Sequence, residues 1–481
     1  MPDVQINLSD LGNAQLLAAI YGNELRYVPA WGAWAEWVGT HWRRHLHSDE
    51  TAAMKRSMRL GDLLRQQAPA LRARIQASKD ADEHKALTDS LQRLVLWSQR
   101  SESRGVIIAA RELLRHIEPL QSRIEEFDLD PLLLACPNGT VDLRTGTLRK
   151  PRREDWCSHL AAAEFDPECP TPRWTAFMEE VLPDIEVREW VQRAMGYSLT
   201  GMTTEQVWMF AYGDGANGKS VLLDTFMEML GDYAIQTSSE TFILNRDRNK
   251  PTNDIAALAG RRFVQAQETD NEQSLAEGVV KQVTGSRRIS ARFLFGEWFE
   301  FVPQFKLWLP GQHRPRIGGN DTGAWRRVRV IPFDVTIPYE QQDRNLSEKL
   351  RAEWPGILAW CVEGCLRWQA NGLGAPDPVM AAVNEYRDSQ DLAGPWIKEF
   401  CQFAPSYSGF TADLYAAYRA WADASNTPCL SMIRWIERII REGGVERYKS
   451  AGMSRLRGVA LRRKTPAIEE PTDAHDKEVD R

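Results

Sequence analysis

A chain of 481 residues, 43% of them apolar, has material for roughly two to four domains with ordinary cores. Its formal charge of -6 and pI near 5.9 supply no global basic field, so a nucleic-acid partner would have to be held by local basic loops. No apolar run approaches membrane-spanning length and no charged-then-apolar leader opens the chain, so neither secretion nor a membrane anchor is expected, and the cytoplasm is the expected compartment.

Residues 1–20 carry a weak helical pattern, and residues 25–42 read as short aromatic strands separated by glycine turns. Trp31, Trp34, Trp37 and Trp42 fit a small β-core ahead of a platform for stacking bases. His41, His45 and His47 lack nearby carboxylates or thiols in a set pattern and read as surface residues rather than metal ligands. Residues 50–126 are helical and charged, with Leu60, Leu63, Leu64, Leu71 and Ile75 on one face and Leu91, Leu94, Val95 and Trp97 on another. A compact hairpin over 132–148 turns at Asn138-Gly139 and Thr145-Gly146, which makes Asp142 a turn carboxylate. A proline-rich linker at 165–172 then leads into helical periodicity over 174–195.

The strongest signal is the run Gly213, Asp214, Gly215, Ala216, Asn217, Gly218, Lys219, Ser220. It follows the apolar residues 207–212 and precedes apolar positions at Leu222, Leu223, Phe226, Met229 and Leu230. Buried strand, glycine-rich turn and amphipathic helix are the context of a phosphate-binding loop. The glycines let backbone N–H groups face a polyphosphate at the positive end of the helix, Lys219 adds a full charge, and Ser220 can ligate magnesium. The expected ligand is a nucleoside triphosphate.

Downstream, a helix with Ile255 and Leu258 ends at Gly260, and a short strand then runs into Glu268 and Asp270. Strand-end acids are where magnesium coordination and water activation sit in phosphate-loop NTPases, and Glu268 is the preferred carboxylate. Residues 277–283 read as helix, 289–301 as a hairpin turning near Gly296, 305–309 as a strand leading to Gln312, and 328–333 as a further strand. Seven scattered cysteines suit reduced thiols, and Cys361 and Cys365, one helical turn apart with no second pair, read as core rather than zinc ligands.

These pieces resemble the superfamily 3 helicases of phages, plasmids and large DNA viruses, of the primase-helicase type. The resemblance rests on the phosphate loop, Glu268 to Asp270, residues 280–285, 289–292, Glu300-Phe301 and 325–333, and on the short distance from Lys219 to Gln312. It implies an α/β AAA+ core over 173–338, preceded by an α+β helicase-associated domain over 1–172. A helical connector over 339–395 and a winged-helix-like domain over 396–463 follow, with a disordered tail over 464–481. The implied function is an ATP-dependent, ring-forming DNA helicase in phage or plasmid replication, usually a homo-hexamer, using ATP and Mg2+ on single-stranded DNA. Lys219 and Ser220 would bind phosphate and metal, Glu268 with Asp270 would hold metal and water, and Gln312 would sense the γ-phosphate. Arg326 or Arg327 would enter the neighbouring subunit's site. Lys281, Arg287, Arg288, Arg292 and Phe293 would grip DNA near a hairpin. The C-terminal basic residues Arg434, Arg438, Arg441, Lys449, Arg455 and Arg457 fit duplex origin contact.

Two departures stand out. Relatives usually carry Thr-Asn where this chain has Gly311-Gln312, and many carry an acid where Arg287 stands. No acidic catalytic constellation precedes the core, so a helicase served by a separate primase or polymerase is expected. The rival reading is a DNA-binding initiator or loader that uses ATP as a switch with weak turnover.

Overall fold

The computed structural model describes residues 7–45, 51–242, 253–267, 274–285, 288–292, 298–317 and 322–462. These divide into two compact units, one running to Val383 and one beginning at Asn384.

The first unit opens with helix α1 (Asp10–Tyr21), capped by Ser9, whose Oγ accepts from the Gly12 N–H at 3.0 Å. Strands β1 (Leu25–Val28), β2 (Ala33–Trp37) and β3 (Trp42–Arg44) form an antiparallel meander. Trp34 and Trp42 are buried in it, and Trp42 stacks on Trp156 with ring centroids 5.2 Å apart, so these indoles are core. His41 and His45 are also buried, contrary to the surface position expected of them. Pairing of β2 with β3 brings His45 Nε2 to 3.1 Å from Glu36 Oε2, while Thr40 Oγ1 lies 3.0 Å from His41 Nδ1. His47 lies outside the described residues.

Helices α2 (Thr51–Ser57), α3 (Leu60–Arg65), α4 (Ala68–Ala77), α5 (Ala81–Arg100) and α6 (Arg104–Leu114) follow. Leu60, Leu63, Leu64 and Leu94 pack with Leu16 and Leu17 of α1 into one core, whereas Val95 faces solvent. A second meander, β4 (Leu133–Cys136), β5 (Gly139–Asp142) and β6 (Thr147–Arg149), contains the expected hairpin. Its Asp142 Oδ1 accepts from the Arg144 N–H at 3.0 Å, the turn role read for it. Helices α7 (Pro172–Val181) and α8 (Ile185–Ser198) lead into the central sheet.

That sheet is built from β7 (Trp208–Tyr212), helix α9 (Lys219–Leu230), β8 (Ala234–Thr237), α10 (Asn253–Ala256) and β9 (Phe263–Ala266). After α11 (Glu277–Val283) and the separate antiparallel pair β10 (Ile289–Ala291) and β11 (Phe299–Phe301), it takes in β12 (Lys306–Gly311), α12 (Thr322–Trp325) and β13 (Val328–Pro332). The five strands lie in the order β13-β7-β12-β9-β8, all parallel, and their apolar runs match a sheet covered on both faces. One strand, β12, therefore separates the loop-bearing β7 from β9, and the C-terminal ends of all three face one edge.

Two buried cations tie the N-terminal part to this sheet without any carboxylate. Arg262 donates to the carbonyls of Leu199 and Leu133, each at 2.7 Å. Lys306 Nζ donates to the carbonyls of Thr200, Gln304 (3.2 Å) and Met202 (3.4 Å), and burial holds its pKa well below the usual lysine value. Helices α13 (Leu346–Ala352), α14 (Trp354–Asn371) and α15 (Asp377–Ser389) complete the layer, with α14 crossing α8 closely. At that crossing a Cβ on Gly196 would fall 2.1 Å from the Cys365 nitrogen, so glycine is what permits the approach. Cys361 and Cys365 are buried there as free thiols in the core.

The second unit comprises α16 (Gly394–Phe400), β14 (Cys401–Phe410), α17 (Thr411–Ala424), α18 (Met432–Ile440), β15 (Glu446–Ser450) and β16 (Met453–Leu461). Its antiparallel sheet has the order β14-β16-β15 around a core of Trp396, Tyr418, Trp435, Leu456 and Val459. Among the described residues, no helix is long and apolar enough to cross a membrane.

Candidate active site

The turn between β7 and α9 adopts backbone conformations that its sequence permits. Gly213 (φ 155°) and Gly218 (φ 84°) both lie in the region that favours glycine, and a Cβ on Gly218 would meet Val181 Cγ1 at 2.4 Å. Asn217 is buried and donates through Nδ2 to the Phe333 carbonyl at 3.1 Å and to the Asp214 carbonyl, which anchors the loop to the chain just after β13. Lys219, 6% exposed, donates to the carbonyls of Gly213 and Asp214 (3.1 Å) and to Asn217 Oδ1 (3.1 Å). Its ammonium is thus held at the mouth of the loop by acceptors that a polyphosphate can replace. Ser220 is exposed on the first turn of α9.

The loop forms one wall of a cavity of about 420 Å³ lined from Gly215 to Val221, by Asp224 of α9, by Gln236, Gln265 and Gln267 at the ends of β8 and β9, and by Pro310 and Gln312 at the end of β12. That volume lies within the range of about 300–1,000 Å³ common for ligand pockets. Gln312 thus lines the same cavity as the glycine-rich loop. Gly311 before it packs closely, since a Cβ there would lie 2.8 Å from the Phe210 ring. Glu268 and Asp270 lie outside the described residues, immediately beyond Gln267. The sequence reading missed Asp224, Gln236, Gln265 and Gln267. Gln265 Nε2 donates to Asp224 Oδ1 at 3.1 Å, while Gln265 Oε1 is buried without a partner among the described residues. Hydroxyl, carboxylate and amide oxygens suit a hard dication such as magnesium, and the orphaned oxygen is consistent with a missing donor there.

The D5 N terminal like family model matches residues 14–183. The chain is also similar to viral proteins named provisionally as helicases or primases. It is 27% identical over 330 residues to one of Acanthamoeba polyphaga mimivirus, with 63% of this chain and 34% of that protein covered. Similarity to one of Frog virus 3 is 25% over 383 residues, covering 62% of this chain and 39% of the other. A primase-named protein of African swine fever virus is 25% identical over 359 residues, 68% of this chain and 36% of its own length. Over about two thirds of its length the chain is thus similar to viral proteins of the helicase and primase type. It spans little more than a third of the length of these relatives. Among solved structures, the apo C-terminal region of NrS-1 is 11% identical and covers 65% of this chain and 87% of that one at a TM-score of 0.40, a likeness too slight to bear on the fold.

The remaining candidate site residues of the chain fall into two groups. Lys281 lies on α11, and Arg288 and Arg292 flank β10; both arginines are exposed. Arg292 lies over the exposed Trp298 ring at 5.0 Å, and Arg288 is 3.9 Å from Glu300. Arg287 and Phe293 lie outside the described residues. The two arginines before β13 point in opposite directions. Arg327 is buried and its Nη1 donates to Thr284 Oγ1 at 3.2 Å and to the Gln206 carbonyl at 3.3 Å, whereas Arg326 is exposed. Arg327 is therefore held by internal hydrogen bonds, and of the two only Arg326 is exposed.

Proposed function

We propose that this chain is an ATP-dependent DNA helicase or translocase of replication, with an AAA+ core that works as a ring, most simply a hexamer. The observation that carries the reading is the convergence of Lys219, Ser220, Gln265, Gln267 and Gln312 on one cavity at the C-terminal edge of a parallel sheet, where phosphate-loop NTPases hold a triphosphate. ATP would lie along the loop with Mg2+ near Ser220 and Glu268. Arg326 of one subunit would complete the site of the next, and Lys281, Arg288 and Arg292 would contact single-stranded DNA.

The second unit, read as winged-helix-like, would contact duplex DNA through β15 and β16. Arg455 is held over Phe410 at 4.1 Å and Arg457 over Tyr448 at 5.0 Å, so both guanidinium groups are presented on one sheet face. Arg438 is less available, since it pairs with Asp391 and Glu442. Primer synthesis is assigned to a partner, and a template-directed primer assay on this chain is expected to yield no product.

The test is steady-state ATP hydrolysis with and without single-stranded DNA, beside Lys219→Ala. Strong DNA stimulation that vanishes in the variant supports a motor. The rival, an ATP-switched initiator or loader, draws on the amides at 236, 265, 267 and 312, which accept and donate weakly where a carboxylate would activate water. Tight ATP binding with no turnover would favour it.

A further inference from the structure

Gln265 lies on β9, is 4% exposed and lines the nucleotide cavity. Its Nε2 donates to Asp224 Oδ1 on α9, about one and a half turns beyond the loop lysine. A carboxylate oxygen can only accept, so this bond fixes which way the amide faces. Gln265 Oε1 must then point away from Asp224, and among the described residues no donor meets it. Buried amide oxygens seldom remain unpaired, so an absent donor is the natural reading.

The chemistry of that donor is constrained by its surroundings. Asp224 and Gln265 Oε1 offer acceptors, which would repel phosphate oxygens. Phosphate has its own partners on the opposite wall, in the loop N–H groups and Lys219. A dication that retains several of its waters presents strongly polarised O–H donors and is attracted by the carboxylate as well. We propose that Asp224 and Gln265 are a linked pair of positioning residues that accept hydrogen bonds from the water shell of nucleotide-bound magnesium, the carboxylate orienting the amide and the amide orienting the water. The inference rests on the phosphate-loop reading and assigns this wall of the cavity to the cation's waters, leaving the phosphates to the loop.

The test measures binding of a fluorescent, non-hydrolysable ATP analogue to the full chain, first in excess EDTA and then along a Mg2+ titration. Gln265→Met, which keeps volume but removes both polar atoms, should leave affinity in EDTA within about twofold and raise the Mg2+ midpoint about tenfold, the size typical of lost outer-shell support. Asp224→Asn, a nearly isosteric change at a partly buried side chain, should shift the midpoint in the same direction by less. A Mg2+ midpoint unchanged in both variants overturns the proposal, as does a loss of affinity equal with and without Mg2+, which would make the pair a support for the loop. A loss confined to the ribose form over the 2′-deoxy analogue overturns it too, by giving the amide to the sugar hydroxyl. If the unaltered protein binds no analogue in either condition, the phosphate-loop reading falls and the pair with it. Binding with an unmoved midpoint sinks the pair alone.

Discussion

Arg327 is buried and hydrogen-bonded whereas Arg326 is exposed, so replacing each should have a different consequence if Arg326 acts as proposed. Arg327 contributes two long charge-assisted bonds, to Thr284 Oγ1 at 3.2 Å and Gln206 O at 3.3 Å, from a side chain only 9% exposed. Its Nε has no acceptor among the described residues, and Thr284 keeps its own bond to the Val280 carbonyl at 2.7 Å, so part of the gain is offset. Bonds to charged groups contribute about 1.5–3 kcal/mol each at good geometry, and about 2 kcal/mol in total is a fair figure for Arg327→Ala. In a unit of this size that lowers Tm by roughly 2–3 °C. Arg326→Ala breaks no side-chain hydrogen bond among the described residues and should leave Tm within about 1 °C. Yet it should lower kcat for ATP by roughly 10³-fold, the scale of a lost arginine finger. Because that arginine would act on the neighbouring subunit's nucleotide, a mixture of Arg326→Ala and Lys219→Ala subunits should regain activity that neither has alone. Each mixed interface of one orientation unites an intact lysine with an intact arginine. Calorimetry and steady-state ATPase on the two proteins and their mixture check this. Full activity in Arg326→Ala, or no recovery on mixing two folded variants, would refute the trans arrangement.

Three further outcomes follow from packing and protonation. Burial pushes the Asp128 carboxyl up, but His159 at 3.2 Å and the bonds from Ser158 outweigh it and hold its pKa below the ordinary value. Its stabilising contribution is therefore complete above the unfolded pKa of about 3.9 and lost as pH falls through the folded value, so Asp128→Asn should lower Tm at neutral pH and flatten its decline below about pH 4. Gly196→Ala places a methyl 2.1 Å from backbone of α14 and should destabilise by about 3 kcal/mol in denaturant titration, with unaltered m-value if the fold survives. A thiol reagent at pH 7.5 should modify the exposed Cys429 first, while Cys361, raised by burial, and Cys365, pushed up to about 12, react only on unfolding, as peptide mapping would report.

The strand, glycine-rich turn and helix could be read from the chain because the signal is contiguous: the glycines, Asn217, Lys219 and Ser220 sit together, and the periods flanking them are those of β7 and α9. Gln312 was legible through a weaker clue, a strand of alternating pattern ending in a polar residue, and the parallel pairing of β12 with both β7 and β9 is what brings it to the cavity. The histidines misled because burial of a polar ring depends on a partner across a hairpin, here Glu36, which no local pattern announces. Strand β14 escaped notice because Pro405, Ser406 and Ser408 read as loop, although its register with β16 resumes at Ser408 after an irregularity. Asp224 and Gln265 were out of reach for a stricter reason. They are 41 positions apart, and each is unremarkable alone, a polar residue on an amphipathic helix and a polar residue in an apolar strand. Only the seating of α9 against β8 and β9 makes them neighbours, and only then does the bond from one fix the direction of the other. A polar side chain inside a run such as Phe263-Val264-Gln265-Ala266 is nevertheless a local conflict, since a central strand covered on both faces has no solvent to offer an amide. Such conflicts are tolerated where a ligand resolves them, so the strand itself held the clue that its end borders a site.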